Sequence, residues 1–249
     1  MVLLVGAADL HDDIVDGSVT KNQRPTVLGK FGKDVTILAG DALLIKGVYL
    51  LHKAVADFPE KKAAAILELV KQAFFDLSSA EAEEASHRGK PSISSRQFLQ
   101  IIERKLAVAE ATARIAALLG NGSEDDVEAL GKLGRTLGWL NTLRDEFIDV
   151  FEPEEVINRF EREILPLPLL STFRDPAKKE KIMDLLANGK MSQENAAKLV
   201  TIVMESRETD ELKRLMQSQA SAISVQLSTL KACKDAFRLL LESSLEDLQ

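Results

Sequence analysis

The feature that most constrains this chain is a succession of long segments in which apolar residues recur at helical spacing, separated by short polar, glycine or proline runs. Two clear examples are QFLQIIERKLAVAEATARIAALL, which ends before Gly120, and EDDVEALGKLGRTLGWLNTLRDEFIDVF, which follows Ser123. Valine and threonine rarely alternate with polar residues as they do in half-buried strands. No linker divides the chain, so the sequence predicts one all-α domain over residues 1–249.

Local signals place individual helices. We predict a helix over residues 2–16, and a core helix from Lys33 to Ala56 because that segment is apolar around most of its circumference. Ser78 and Ser94 each precede a Glu or Gln by three residues, a pattern typical of the capping box at a helix start. We expect residues 97–119 to form one continuous amphipathic helix.

Charge and composition exclude several classes of protein. The formal net charge of −7 argues against nucleic-acid binding, because phosphate backbones are bound by basic surfaces. The single cysteine, Cys233, excludes an internal disulfide and favours the cytoplasm. No run of about eighteen uninterrupted apolar residues is present, so we expect no membrane span. The opening MVLLVGAADL lacks the basic residues of a signal peptide and is typical of the end of a buried helix, so we expect further helices upstream of it.

Two acidic sets share the spacing i, i+1 and i+4 within largely apolar helical segments. Residues four apart on a helix lie on one face, with Cβ atoms roughly 5–6 Å apart, so like charges there repel. One such set alone could be an ordinary solvated helix turn. Two sets facing each other across a cavity would need counter-ions, and Mg²⁺ prefers carboxylate, water and phosphate oxygens, so the pattern favours a magnesium site that holds a polyphosphate. The first acidic set is Asp12, Asp13 and Asp16, and the second acidic set is Asp145, Glu146 and Asp149.

The segment HDDIVDGSVTKNQRPTVLGKFGKDVTILAGDALL resembles the first aspartate-rich region of the trans-isoprenyl diphosphate synthases, or polyprenyl synthetases. The shared elements, in order, are DDxxD, a basic loop, a PTV turn, FG and a helix with LAGD. RKLAVAEATARIAALLG resembles the later Lys-Thr helix of that family, and LRDEFIDV stands where its second aspartate-rich motif is expected. The resemblance implies an antiparallel helical bundle around a deep central cavity, of the isoprenoid synthase type and usually a homodimer.

The implied reaction is the Mg²⁺-dependent condensation of isopentenyl diphosphate with an allylic diphosphate of the geranyl or farnesyl type. Residues four and five positions before the first acidic set, here the small Ala8 and Ala7, would limit product length, and small side chains there imply a product of about twenty carbons or longer. By position, the implied metal ligands are Asp12, Asp13, Asp16, Asp145 and Asp149. The implied diphosphate-binding residues are Lys21, Arg24, Lys105 and Arg159. Of these residues, the implied catalytic ones are Asp12, Asp13, Asp16 and Lys105.

Some positions depart from the family pattern. Asn22 stands where an arginine is expected, Leu106 where a threonine follows the lysine, and Glu146 where the second aspartate is expected. The basic segment that precedes the first motif in the family is absent from this sequence, which puts the isopentenyl diphosphate site in doubt. The alternative is a non-catalytic or regulatory subunit of the same fold. A terpene cyclase would share the helical fold and a DDxxD-type motif, but its second motif of Asn, Ser or Thr, and Glu at helical spacing is not present around residues 141–149. A helical scaffold without ligand would have exposed acidic sets with no cavity between them.

Overall fold

The computed structural model of the protein describes residues 1–21, 24–88, 93–187 and 191–229, with Leu239 and Leu241. Asn22 and Cys233, on which two sequence predictions depend, lie outside these residues. The described chain is almost entirely helical, which confirms the all-α prediction.

The N-terminal half contains a small hairpin between the first two helices. Its elements are α1 (Val2–Asp16), β1 (Thr20–Lys21), β2 (Arg24–Pro25), α2 (Val27–Phe31), α3 (Lys33–Val55), α4 (Glu60–Ser86), α5 (Ser95–Lys105) and α6 (Ala107–Leu119). The two strands pair antiparallel, with Lys21 opposite Arg24. The C-terminal half consists of α7 (Glu124–Val150), α8 (Pro153–Arg162), α9 (Leu167–Thr172), α10 (Pro176–Leu186), α11 (Gln193–Met204) and α12 (Arg207–Thr229).

Side-chain caps fix several helix starts. Ser94 begins α5 with a complete capping box to Gln97, as predicted, and Ser123 begins α7 with the same arrangement to Asp126. The predicted start at Ser78 is wrong, because α4 continues through this residue without interruption. Residues 97–119 also differ from the prediction of one helix, since the chain breaks at Leu106 and continues as α6.

Two apolar clusters hold the helices together. The larger one surrounds α7, whose Leu140, Leu143 and Phe147 are buried against α5, α9 and the C-terminal helices. The smaller one joins α1, α3, α4 and α6 through residues that include Leu4 and Val70. Helices α6 and α7 approach closely at Gly134, where an added Cβ would lie 2.6 Å from the Cβ of Ala113. A larger residue at Gly134 would therefore separate the two helices.

Helix α3 differs from the prediction of a core helix. It packs on α1 along a narrow line that includes Gly40 and Gly47, and its opposite face is open. Leu38, Ile45 and Tyr49 on this helix are 69%, 70% and 58% exposed. By length and composition α3 is the one helix of the described chain that could cross a membrane, which is weak evidence because core helices of water-soluble proteins pass the same test.

Candidate functional site

A cavity of about 840 Å³ lies between α1, α3 and α4. Its deep end is apolar and includes Leu4 and Val70, which belong to the same buried cluster. Its other end is acidic and includes Asp12 and Glu81. Burial is the main cause of the raised pKa of Glu81, and the nearby charge of Asp12 adds to the rise. Helices α1 and α4 therefore run side by side from the apolar end to the acidic end. At 1.5 Å per residue, Leu4 and Asp12 lie about 12 Å apart along α1, and Val70 and Glu81 lie about 16 Å apart along α4.

The first acidic set lies on the last turns of α1, which ends at Gly17 in the left-handed conformation with φ of 70°. The Nζ of Lys21, from the hairpin, lies 2.8 Å from Asp13 Oδ1 and 3.8 Å from Asp12 Oδ2. Burial lowers the pKa of Lys21, but the hydrogen bond to Asp13 and the charges of the set outweigh it and raise that pKa overall. The lysine is therefore held as a cation by the carboxylates it pairs with.

Asp16 is paired with a cation from a different part of the chain. Arg88, just beyond α4, donates to the Asp16 carboxylate and to the carbonyl oxygen of Val15. Burial nevertheless raises the pKa of Asp16 to about 8, and the charges of Asp12 and Glu163 add to the rise. In this environment a charged Asp16 is costly, and a further cation near it would lower its pKa.

Lys105 is held between two carboxylates of α4. Its Nζ lies 2.9 Å from Glu81 Oε1 and also pairs with Glu84. Burial lowers the pKa of Lys105, but the charges and hydrogen bonds of Glu84 and Glu81 raise it overall, so the side chain stays protonated. The predicted diphosphate-binding lysine is thus placed at the acidic end of the cavity, because Glu81 lines it.

The second acidic set lies near the end of α7 and is divided between solvent and interior. Asp145 is exposed and pairs with the neighbouring Arg144. Glu146 is buried, and its carboxylate accepts from the Arg159 guanidinium at 3.0 and 3.1 Å and from the Leu167 backbone N–H at 2.6 Å. Arg159 also donates to Asp149 Oδ2 at 2.5 Å.

Glu163 lies near a charged residue of the first acidic set and near the cation paired with the second. Burial raises the pKa of Glu163, and the charges of both Glu84 and Asp12 add to this rise, whereas Arg159 lowers it. Glu163 therefore interacts electrostatically both with Asp12 of the first set and with Arg159, the cation paired with the second set. The cavity lining includes Asp12 of the first set, and the hypothesis that both acidic sets surround one cavity mouth stays a prediction.

The donors of the first set suit Mg²⁺, since they are carboxylates paired with cations that could yield to metal. Within the described residues, no three His, Cys, Asp or Glu side chains are already grouped to hold a metal ion. A magnesium ion here would therefore complete its shell with water and substrate oxygens, which is its usual mode of binding.

The predicted residues fall into four groups, of which Asp145, Asp149 and Arg159, at the end of α7 and on α8, form one. Asp12, Asp13, Asp16 and Lys21 are in contact or on adjacent turns, and Lys105 pairs with Glu81 and Glu84 of α4, of which Glu81 lines the cavity. Arg24 is exposed on β2. Ala7 and Ala8 both line the cavity wall, one turn below Asp12.

Sequence reasoning missed the side chains that complete the site. Arg88 follows a helix end and has no motif around it. The capping-box pattern at Ser78 accounts for Glu81 only, although the i, i+3 spacing of Glu81 and Glu84 places both on the face that meets Lys105. That spacing was the available signal for a carboxylate pair that holds a cation.

The chain matches the family model for polyprenyl synthetase over residues 3–203. It is 26% identical over 237 residues to a geranylgeranyl diphosphate synthase of Methanosarcina mazei, covering 93% of this chain and 71% of that protein. It is 25% identical over 210 residues to a short chain isoprenyl diphosphate synthase of Methanocaldococcus jannaschii, covering 80% of this chain and 62% of that protein. The solved structure of a geranylgeranyl pyrophosphate synthetase from Pyrococcus horikoshii superposes with a TM-score of 0.85 at 21% identity, over 98% of this chain and 76% of that one, and so has the same fold.

Proposed function

The chain belongs to the polyprenyl synthetase family, and we propose that it is a prenyltransferase that condenses isopentenyl diphosphate with an allylic diphosphate of the geranyl or farnesyl type. In this reaction the allylic C–O bond breaks, the isopentenyl alkene bonds to the allylic carbon, and a proton is lost. The observation that carries the proposal is the cavity, which is apolar at one end and acidic at the other. A diphosphate with a hydrocarbon tail has the same division of character.

The acidic end would hold the diphosphate. We assign Asp12, Asp13 and Asp16 to Mg²⁺, which when bound supplies positive charge to the departing diphosphate. Lys105 contacts the allylic diphosphate directly, since its ammonium group is fixed at this end by Glu81. In the second acidic set, Asp145 and the remaining oxygen of Asp149 are available to the same ions.

The hairpin beside the first acidic set supplies further cations. Lys21 is about half exposed, so it can leave Asp13 when metal arrives and pair with a substrate phosphate. Arg24 is exposed next to it on the paired strand. We assign both residues to isopentenyl diphosphate. We also propose that the enzyme is cytoplasmic, because charged diphosphates are water-soluble and the single cysteine suits a reducing compartment.

We also propose a homodimer formed through the open face of α3. A contiguous row of exposed apolar side chains on one helix is unusual for a monomer and marks an interaction surface. Ile45→Glu is expected to give a monomer in sedimentation velocity, whereas Lys53→Glu, near the end of the same helix, should leave the dimer intact. A wild-type protein that sediments as a monomer would overturn this assignment.

The test of the activity is product analysis. Purified protein is incubated with Mg²⁺, isopentenyl diphosphate and, in turn, dimethylallyl, geranyl and farnesyl diphosphate, and the dephosphorylated products are separated by length. We expect elongation of at least one primer. No product from any primer would overturn the proposal in favour of a non-catalytic subunit.

A matched pair of variants tests the assignment of the first acidic set. Asp12→Asn removes one charge at the cavity mouth and should lower kcat by about a hundredfold or more. Asp125→Asn makes the same change at the exposed first turn of α7 and should leave turnover unchanged. Equal turnover in the two variants would contradict the metal assignment.

A further inference from the structure

The guanidinium of Arg159 is completely engaged inside the protein. Besides Asp149 and Glu146, it donates from Nε to the Ile164 carbonyl oxygen at 2.7 Å. Its face lies over the Phe98 ring, 5.9 Å from the ring centroid. The residue is 5% exposed, so this cation belongs to the interior rather than to the cavity surface.

Glu146 is fixed in the same network from the other side. The backbone N–H of Leu167, at the start of α9, donates to Glu146 Oε2 at 2.6 Å. Arg159 and Leu167 together therefore bind both carboxylate oxygens of Glu146, and the chain beyond α7 folds back over it. Turning this carboxylate toward a metal would take from the buried guanidinium one of its two carboxylate partners and leave N–H donors unpaired, which is destabilising.

The first acidic set has a different kind of counter-ion. Lys21 contributes a flexible ammonium group on a two-residue strand, and its side chain is 50% exposed. Asp13 itself is buried, but the half-exposed ammonium group of Lys21 can be taken up by water, so a divalent cation can replace it beside Asp13. The two sets have the same spacing in sequence, but Asp13 is paired with a half-exposed lysine and Asp16 with the partly exposed Arg88, whereas Glu146 and Asp149 share one buried arginine.

We propose that Arg159 is a permanent internal cation of the second acidic set and that its guanidinium takes the place of a divalent ion there. The first acidic set is then the principal metal site. This inference rests on the proposed function for the presence of metal and diphosphate at the cavity mouth. It reassigns Arg159 from a diphosphate contact to a positioning residue, and Glu146 from the metal motif to the ion pair that holds Arg159. Asp149 keeps one oxygen free of the guanidinium and binds metal weakly.

The experiment is a Mn²⁺ titration of the full chain with saturating inorganic pyrophosphate, in which free Mn²⁺ is measured by electron paramagnetic resonance. Asp12→Asn should weaken Mn²⁺ binding by about tenfold or more, and Asp149→Asn by about threefold or less. Asp125→Asn serves as the control for loss of one negative charge.

A double variant, Glu146→Gln with Arg159→Gln, tests the displacement directly. It removes both charges of the buried pair while leaving at each position an amide that can still form hydrogen bonds, and it frees Asp149 from the guanidinium. We expect this variant to bind Mn²⁺ more tightly than the wild type or to bind an additional ion, with an unchanged circular dichroism spectrum.

Three results would overturn the inference. Equal weakening by Asp12→Asn and Asp149→Asn would show that the second set binds metal as fully as the first, without contradicting the proposed activity. Unchanged Mn²⁺ binding by the folded double variant would show that Arg159 does not compete with metal. Binding that survives Asp12→Asn but is lost in Asp149→Asn would overturn this inference and the metal assignment of the first set together. The comparison of Asp12 with Asp149 does not depend on folding of the double variant.

Discussion

The cavity wall at Ala8 offers a direct way to change the length of the product. Ala8 lies one helical turn below Asp12 on α1, and Leu4 lies one turn below Ala8 at the apolar end. All three face the same space because residues four apart share a helix face. We predict that Ala8→Phe shortens the product, since the aromatic ring would project across the cavity at this level.

The size of the effect can be estimated from helix geometry. At 1.5 Å per residue, the bottom of the cavity at Leu4 is about 12 Å from Asp12, and Ala8 is about 6 Å from it. A phenylalanine at residue 8 therefore closes roughly the lower half of the depth, which corresponds to a product roughly one or two isoprene units shorter. Phe74, on the opposite wall in α4, already fills part of the lower half. Phe74→Ala should have the opposite effect and lengthen the product.

The assay is chromatography of dephosphorylated products formed from radiolabelled isopentenyl diphosphate. Ala64→Phe provides the matched control, because Ala64 is exposed on α4 and is not part of the cavity wall. An active Ala8→Phe variant with the same product distribution as Ala64→Phe would refute the reasoning. So would a Phe74→Ala variant that shortens the product, since removing side-chain volume cannot raise the floor of the cavity.

Two charged residues at the cavity mouth give further predictions. Lys105→Met leaves Glu81 and Glu84 without their shared cation, and we expect about 2 kcal/mol less stability in urea unfolding together with about a hundredfold lower kcat/KM for the allylic substrate. A loss of kcat/KM confined to isopentenyl diphosphate would contradict the assignment of Lys105 to the allylic diphosphate. Burial and the charge of Asp12 raise the pKa of Asp16 from 3.8 to about 8. Between these two values the folded state keeps a proton that the unfolded state loses, so the free energy of unfolding should fall as the pH rises from about 4 to 8. In the absence of divalent ions Asp16→Asn should remove this slope and raise the Tm at pH 8, and a Tm below that of the wild type at pH 8 would contradict it.

Much of the fold could be predicted from local chemistry. The capping box at Ser94 predicted a helix start correctly because both partners lie within four residues and need nothing else. The same pattern at Ser78 failed, since the residues before it continue a helix that buries Val70 and Ala80, and burial outweighs a possible cap. The exposure of α3 could not be predicted, because a helix that is apolar all round gives no information about which face the rest of the chain will cover.

The acidic sets were predictable from spacing, but their counter-ions were not. The i, i+4 rule determines which carboxylates point the same way, and it holds for any helix. Arg88 reaches Asp16 across 72 residues of sequence, a contact that only the packing of α4 beside α1 creates. Lys21 was predicted as a substrate cation from resemblance, whereas its contact with Asp13 depends on the hairpin that β1 and β2 form.

The contrast between the two acidic sets arises from the different segments that succeed them in the chain. Gly17 ends α1 one residue after Asp16, and the hairpin beyond it covers the first set only with the side chain of Lys21. After α7 the chain turns at once into α8 and α9, which bring Arg159 and the N–H of Leu167 onto Glu146. The same spacing of carboxylates thus produces a set with a half-exposed cation, Lys21, where the chain leaves the helix end, and a set with a buried cation, Arg159, where the chain folds back. Glutamate at position 146 suits the second outcome, because its longer side chain reaches both donors at once while Asp145 stays in solvent.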